Sequence, residues 1–505
     1  MSMEDLSELS RNKSPGCVPR LSRPLGPLET MYHLYHQRGM DLIVQLMSLR
    51  TCAPVTQLNV RQALVFLMKK HPILRMCIRR NKCRDSVCYN FLEMGKCTMD
   101  LRVTKNTNHE EILANALRLS FDYENGPLWR IIFVDPDIKA STNVETPPLN
   151  HSLVFAFSCH HAIADGIYLQ KIYTDFIELI HLIQNGRFSA LSAMKKSLFL
   201  PPIENILPVI FPDDRVERRP RQRKNSGIFM QTGGDANAQT TRSCTGKSIQ
   251  ALDAYNNSCH SEISNLVNTH KQSTGNIRFK FTEGHSRKFL LSNKENHVTV
   301  TSSCIIAACM SLARLLEPTL PVDIDRLVVP VEIMVNLRRY VTDQTMFEDY
   351  PGCAAIHIPL TISVPLRRAH KQSAMNFWNL SEQCADKISD IVSTGKPIEI
   401  MKEEAENELR EQPVRGKSPF VICLTNLSRV DDMVKPELKK NFRLVSFPSL
   451  TRIAVDDMPI FFINIFTLNK ELNVNIGYCA NYTSRQTAAR YAWFYSDVIC
   501  QHSKL

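Results

Sequence analysis

A chain of 505 residues is long for one hydrophobic core, and at roughly 100–200 residues per domain it divides into two to four units, of which two large ones is the simplest arrangement. Hydrophobic residues at 44% and charged residues at 22% exclude a disordered or low-complexity chain. The acidic start from Met1 to Glu8 and the lack of any run near ~18 apolar residues predict no secretory signal and no transmembrane segment, hence a cytoplasmic protein. Sixteen cysteines then read as reduced thiols. Cys77, Cys83, Cys88 and Cys97 cluster without forming the two Cys-x2–4-Cys pairs of a structural zinc site, so no metal is expected. The formal net charge of +11 favours an anionic partner. Much of it lies in Arg215, Arg218, Arg219, Arg221, Arg223 and Lys224, a stretch with no interleaved aromatic residue. That pattern reads as a solvated linker, and nucleic acid is not an expected partner.

In chain order, Val60, Ala63, Leu64, Leu67 and Met68 recur at helical spacing over Gln57 to Lys70, and His71-Pro72 stops the pattern. Ile73 to Ile78 follows as a predicted strand, and Leu128 to Val134 as another behind the turn residues Glu124-Asn125-Gly126-Pro127. Ser152 to Cys159 is a continuous β-prone apolar run, the mark of a central strand covered on both faces. Beyond Asp165, the positions Tyr168, Ile172, Phe176, Leu179, Ile180 and Ile183 trace one helix face up to Asn185-Gly186. Pro201 to about Gly275 loses regular periodicity and predicts a boundary: a first unit over 1–200, a basic and polar linker or long loop over 201–275, and a second unit over 276–505. In that second unit Ile277 to Phe281, Leu327 to Val335, Phe420 to Leu424 and Phe461 to Leu468 read as strands, the last pairing across Asn469-Lys470 with Glu471 to Tyr478. Helices are predicted at Val300 to Leu316, begun behind Thr301-Ser302-Ser303, and at Gln486 to Cys500.

One segment names a chemistry. His160-His161-Ala162-Ile163-Ala164-Asp165-Gly166 sits between the central strand and the helix that follows it. Adjacent residues of a strand point to opposite faces, so one histidine is expected to work in a channel and the other to be packed. A neutral imidazole can take a proton from a hydroxyl or amine as that group attacks a carbonyl. Asp165 could orient a histidine, or cap the next helix and pair with a buried arginine, and its place just before the helical pattern favours the second. Gly166 allows close backbone approach at a sharp turn. A packed histidine pair with a capping aspartate would leave the same signature. Zinc fits poorly, because adjacent histidines diverge and no third ligand stands nearby, and no Gly-x-Ser-x-Gly elbow supports a serine hydrolase.

The segment from Ser158 to Gly166 resembles the signature of the CoA-dependent acyltransferase superfamily, which includes condensation domains of peptide synthetases and alcohol O-acetyltransferases. Pro27-Leu28-Glu29, His71-Pro72-Ile73-Leu74-Arg75 and Gly126-Pro127-Leu128-Trp129-Arg130 resemble landmarks of its first half; Val335-Asn336-Leu337-Arg338-Arg339 and Thr425-Asn426-Leu427-Ser428 resemble landmarks of its second. The resemblance implies an α/β fold of two similar chloramphenicol-acetyltransferase-like halves, each with a mixed sheet, meeting at an active-site tunnel. It implies His161 as general base and structural roles for His160, Asp165 and Gly166, with Arg338 as the partner of Asp165. Thr425, Asn426 or Ser428 would supply the donor that an oxyanion needs. The implied reaction moves an acyl group from a thioester, acyl-CoA as co-substrate, to an alcohol or amine, with no tightly bound cofactor and a monomeric enzyme. The basic stretch from Arg218 to Lys224 could meet the coenzyme's phosphates. Two departures stand out: the Asp-Phe-Gly-Trp-Gly segment of many relatives is missing, and Ser428 stands where acetyltransferase-like members often have glycine. They leave open an alternative, a catalytically degenerate fold kept as a binding or scaffold protein.

Overall fold

A computed structural model describes residues 21–40, 42–82, 87–135, 149–208, 247–258, 274–341, 350–367, 373–409, 421–453 and 459–503. The basic stretch from Arg215 to Lys224, Cys83 and Phe420 lie outside the described residues.

Two mixed sheets dominate. The strands in chain order are β1 (Ser22–Pro24), β2 (Leu42–Thr51), β3 (Met76–Lys82), β4 (Val87–Glu93), β5 (Leu101–Thr104), β6 (Trp129–Val134), β7 (His151–His160), β8 (Lys247–Gln250), β9 (Thr274–Lys280), β10 (Ile324–Asn336), β11 (Ala355–Pro365), β12 (Ile422–Arg429), β13 (Phe442–Ser446), β14 (Ser449–Thr451), β15 (Phe461–Leu468) and β16 (Glu471–Cys479). The first sheet runs β13-β2-β7-β6-β5, with β14 also on β2; the second runs β11-β10-β12-β15-β16-β9, with β8 also on β10. In each, parallel and antiparallel pairs mix: β5 is parallel to β6 and β6 antiparallel to β7, while β10 is parallel to β12 and antiparallel to β11. A small antiparallel sheet, β1-β4-β3, flanks the first. The first sheet is completed by the second half of the chain, since β13 and β14 both pair with β2. Within the 201–275 interval, β8 pairs with β10 from Lys247 to Gln250.

The apolar run of β7 is buried because it is covered twice. On one face the helices Gln57–Lys70 and Gly166–Gln184 pack against one another, and Phe155 and Phe157 join their core with Ile172, Tyr173 and Phe176. On the other, Ala156 and the β2 residues Leu42, Val44 and Leu46 meet Ile112, Leu113 and Ala116 of the helix His109–Arg118. The predicted strand from Ile73 is a 3₁₀ turn over Pro72–Arg75 before β3 begins at Met76; proline presets the turn dihedral and has no N–H for a ladder. The second sheet carries the helix Val300–Leu316, which packs against the helices Ser373–Ser393 and Arg485–Gln501. Thr299, not the following Thr-Ser-Ser, caps it by accepting from the Ser302 N–H. Among the described residues one helical stretch, Val300–Thr319, is long and apolar enough to cross a bilayer by length and composition, though Ser302, Ser303, Ser311, Arg314 and Glu317 interrupt its apolar residues. It is mostly buried, as a core helix is.

Candidate active site at the end of strand β7

β7 ends at His160, a 3₁₀ turn carries His161 to Ile163, and Asp165 caps the helix that starts at Gly166. The turn rotates the two imidazoles apart. His160 is fully buried: its Nδ1 accepts from the Ala162 N–H at 3.1 Å, so its proton sits on Nε2, 3.2 Å from His33 Nδ1. His33 Nε2 lies 3.1 Å from the Gln37 side-chain amide, and the His36 ring lies 4.3 Å from that of His160. Burial keeps these rings neutral, lowering His33 to about 4 and His36 to about 3 and taking His160 well below the usual histidine value.

His161 faces the other way and keeps 6% exposure. Its ring lies flat on Tyr32, with centroids 4.0 Å apart and planes 5° from parallel, and the Tyr32 hydroxyl donates to Ala355 O at 2.9 Å. Its Nδ1 lies 3.5 Å from Cys353 Sγ. Among the described residues Nε2 makes no hydrogen bond, so in the tautomer that carries its proton on Nδ1 the Nε2 lone pair is free to accept. Burial lowers His161 to about 4, with the Asp165 carboxylate opposing the shift. The imidazole is therefore neutral at physiological pH. Burial pushes the Cys353 thiol well up, so it is a neutral neighbour.

Asp165 performs both architectural tasks at once. Oδ1 accepts from the Ile167 and Tyr168 N–H groups at 3.1 and 2.9 Å; Oδ2 accepts from Arg338 Nη1 at 2.6 Å and from the Ala354 N–H at 2.8 Å. Arg338, 1% exposed, also donates through Nη1 to Asn336 Oδ1, through Nη2 to Gly352 O and through both Nε and Nη2 to Tyr350 O. Burial alone would raise the Asp165 carboxyl, but Arg338 and the backbone donors outweigh it and hold it below the usual value. This pair joins the end of β7 to the segment between β10 and β11. Gly166 meets the end of β12: a Cβ built on it would sit 2.9 Å from Leu427 Cδ2. Gln170 Nε2 donates to Leu427 O at 3.0 Å beside it.

The three donor candidates on β12 part company. Asn426 is exposed, its amide donating to Thr301 Oγ1 and its oxygen accepting from the Ser428 N–H. Ser428 is exposed with φ +60°. Thr425 has a buried hydroxyl without a hydrogen-bond partner among the described residues. It lies opposite Asn464 of β15, whose amide donates to Ser449 O of β14 in the first sheet, so Thr425 lies on the face of the second sheet that meets the first. Tyr32, Cys353, His33 and His36 did not emerge from the sequence; the Met-Tyr-His-Leu-Tyr-His pattern of Met31 to His36 was the available signal.

The landmark residues have structural tasks. His71 is buried between the Tyr168 hydroxyl at 2.8 Å and Asp175 Oδ2 at 2.9 Å, both on the motif's helix. Trp129 Nε1 donates to Leu74 O at 2.8 Å, and Arg130 pairs with Asp100.

No family model and no curated protein matches the sequence. Solved structures do. The TRI3 trichothecene 15-O-acetyltransferase from Fusarium sporotrichioides is 14% identical, with 98% of this chain and 97% of that one covered at a TM-score of 0.62. The first condensation domain of the CDA synthetase is 10% identical over 97% and 98% of the two chains, TM-score 0.58. The condensation domain from the Monacolin K polyketide synthase MokA is 10% identical over 96% and 98%, TM-score 0.57. The chain thus has the fold of these acetyltransferase and condensation-domain structures, two chloramphenicol-acetyltransferase-like halves with a mixed sheet in each.

Proposed function

We propose that this chain is an acyltransferase that moves an acyl group from an acyl thioester, acyl-CoA, to an alcohol or amine acceptor, with His161 as general base. The observation that supports the reading is the state of His161: neutral, flat on Tyr32, with Nδ1 beside Cys353 Sγ and Nε2 without a hydrogen bond among the described residues. Nε2 takes the proton from the acceptor O–H or N–H as that atom bonds to the thioester carbonyl carbon. The carbonyl oxygen becomes an oxyanion, to which the unpartnered Thr425 hydroxyl donates. Collapse re-forms the carbonyl and breaks the C–S bond, and the imidazolium returns its proton to the leaving thiolate. Arg338 and Asp165 are positioning residues that fix the turn carrying His161.

The test is free-thiol release from a panel of acyl-CoA donors with candidate alcohols and amines, compared between the wild type and His161→Ala. Loss of general-base catalysis costs about 10²–10⁴-fold. Equal rates in the two proteins would overturn the assignment of His161, and a wild type inactive across the panel would favour the scaffold alternative.

A further inference from the structure

On the same face of the second sheet as Thr425, three metal-binding side chains converge that the acyl-transfer chemistry does not use. Glu332 of β10 and Cys423 of β12 are direct partners in the parallel ladder, so their side chains share a face. His357 of β11 lies two residues from Pro359, the antiparallel partner of Glu332, and so points to that face as well. One ring nitrogen, His357 Nδ1, lies 3.4 Å from Glu332 Oε2 and 3.5 Å from Cys423 Sγ, and the three donor atoms all lie within 4.8 Å of one another.

That arrangement suits neither of its two simpler explanations. In a nucleophile–base–acid relay the acid and the nucleophile occupy opposite nitrogens of the imidazole, whereas here both meet Nδ1. As hydrogen bonds, the ordinary 3.5 Å contact to sulfur and the long 3.4 Å contact to oxygen share one nitrogen and compete for a single proton or lone pair. The two distances at His357 Nδ1 do match edges of a coordination tetrahedron. Zn–N and Zn–O bonds of about 2.05 Å and a Zn–S bond of about 2.3 Å place tetrahedral N and O ligands about 3.4 Å apart, and N and S ligands about 3.6 Å apart. Cysteine, histidine and glutamate are also the borderline-soft donor set that zinc selects over magnesium or calcium. Glu404, on the helix Lys396–Leu409, interacts electrostatically with both His357 and Glu332 and adds an acidic group beside the trio.

We infer that Glu332, His357 and Cys423 form a zinc-binding site on the face of the second sheet that meets the first. Three protein ligands leave the fourth position of the tetrahedron for water or another oxygen donor. Ligands from β10, β11 and β12 would tie together three strands whose ends also carry Arg338, Ala354 and Thr425.

The full chain, stripped with chelator and dialysed, should take up one equivalent of zinc by elemental analysis after gel filtration. With cobalt(II) as the probe it should show the d–d bands of a tetrahedral site and a thiolate-to-cobalt charge-transfer band. Cys423→Ser should abolish the charge-transfer band and His357→Ala should lower metal content, whereas Cys97→Ser, at an exposed thiol, should leave both signals intact. Circular dichroism on each variant separates lost ligands from lost fold, and the conservative Glu332→Gln provides a folded variant in which only affinity falls. Failure to retain zinc or cobalt, or a charge-transfer band that survives Cys423→Ser, would overturn the inference. Since the readout is metal binding, its failure leaves the acyl-transfer reading standing.

Discussion

Two buried polar centres lie one turn apart on the chain and differ in how completely they are satisfied. Around Asp165 and Arg338 both carboxylate oxygens and all three guanidinium nitrogens have partners. Around His161 and Thr425, Nε2 and Oγ1 make no hydrogen bond among the described residues. Buried polar groups are nearly always paired, because leaving one without a partner costs about 1–3 kcal/mol. A saturated centre spends its hydrogen bonds on rigidity, and an unsaturated one beside it keeps donors and acceptors for something that arrives. The contrast separates architecture from chemistry within five residues of sequence.

The largest effect should come from the saturated centre. Arg338→Met leaves the Asp165 carboxylate buried without its cation, and breaking such a pair costs about 3–5 kcal/mol. Denaturant unfolding should show that loss, with the acid side of the stability curve changed as well. Asp165 lies below its unfolded value, so the stability it contributes is present above the unfolded carboxylate pKa and lost as pH falls through the folded one. A loss below about 1 kcal/mol in Arg338→Met would mean the two centres are not different in kind.

How far the sequence disclosed these centres depends on the range of each contact. The helices Gln57–Lys70 and Gly166–Gln184 were legible because an apolar stripe is a local signal, and Asp165 was legible as a cap because its partners are two and three residues away. Arg338, 173 residues from Asp165, came only through the family resemblance. Cys353, 192 residues from His161, had no signal at all. Phe442 and Leu444 are buried between the exposed Arg443 and Val445, and nothing local says that β13 crosses to the first sheet. The Glu332–His357–Cys423 trio is likewise assembled by strand register, and a search for short metal motifs passes over it.

The unsaturated centre can be broken at Thr425. Thr425→Val keeps the shape and removes the hydroxyl, and loss of one oxyanion donor costs about 10²–10³ in kcat. KM should hold, because the hydrogen bond strengthens only as charge develops. Thr425→Ser should restore most of the rate. A fall in KM terms alone, or no change in either variant, would move the donor elsewhere in the cleft.

Proton affinity gives a graded test of the same contrast. With His161 lowered to about 4 by burial, kcat/KM for thiol release should show its acid limb near 4, where an exposed histidine would give about 6.5. His33 at about 4 and His36 at about 3 are buried neutral in the same way. Each takes up a proton on unfolding once pH drops below about 6.5, so stability should fall with falling pH between about 6.5 and 4, each such histidine adding about 1.4 kcal/mol per pH unit. His33→Asn should flatten that slope, and an acid limb at 6.5 would mean His161 is solvated.

The smallest effect belongs to Ser428, which stands where acetyltransferase-like members of the family that the sequence resembles often have glycine. At φ +60° a non-glycine residue is strained by about 1–2 kcal/mol, though the Asn426 side chain accepting from the Ser428 N–H offsets part of that. Ser428→Gly relieves the strain but gives the unfolded chain more freedom, so a net gain of about 0.5–1 kcal/mol is expected in thermal unfolding. Because Ser428 is exposed whereas the Thr425 hydroxyl is buried, kcat should be unchanged. A tenfold loss of kcat in Ser428→Gly would place the serine hydroxyl in the cleft and make the departure one of chemistry. An unchanged kcat with raised stability makes it one of backbone, and a site that tolerates the serine without cost to rate is not degenerate on its account.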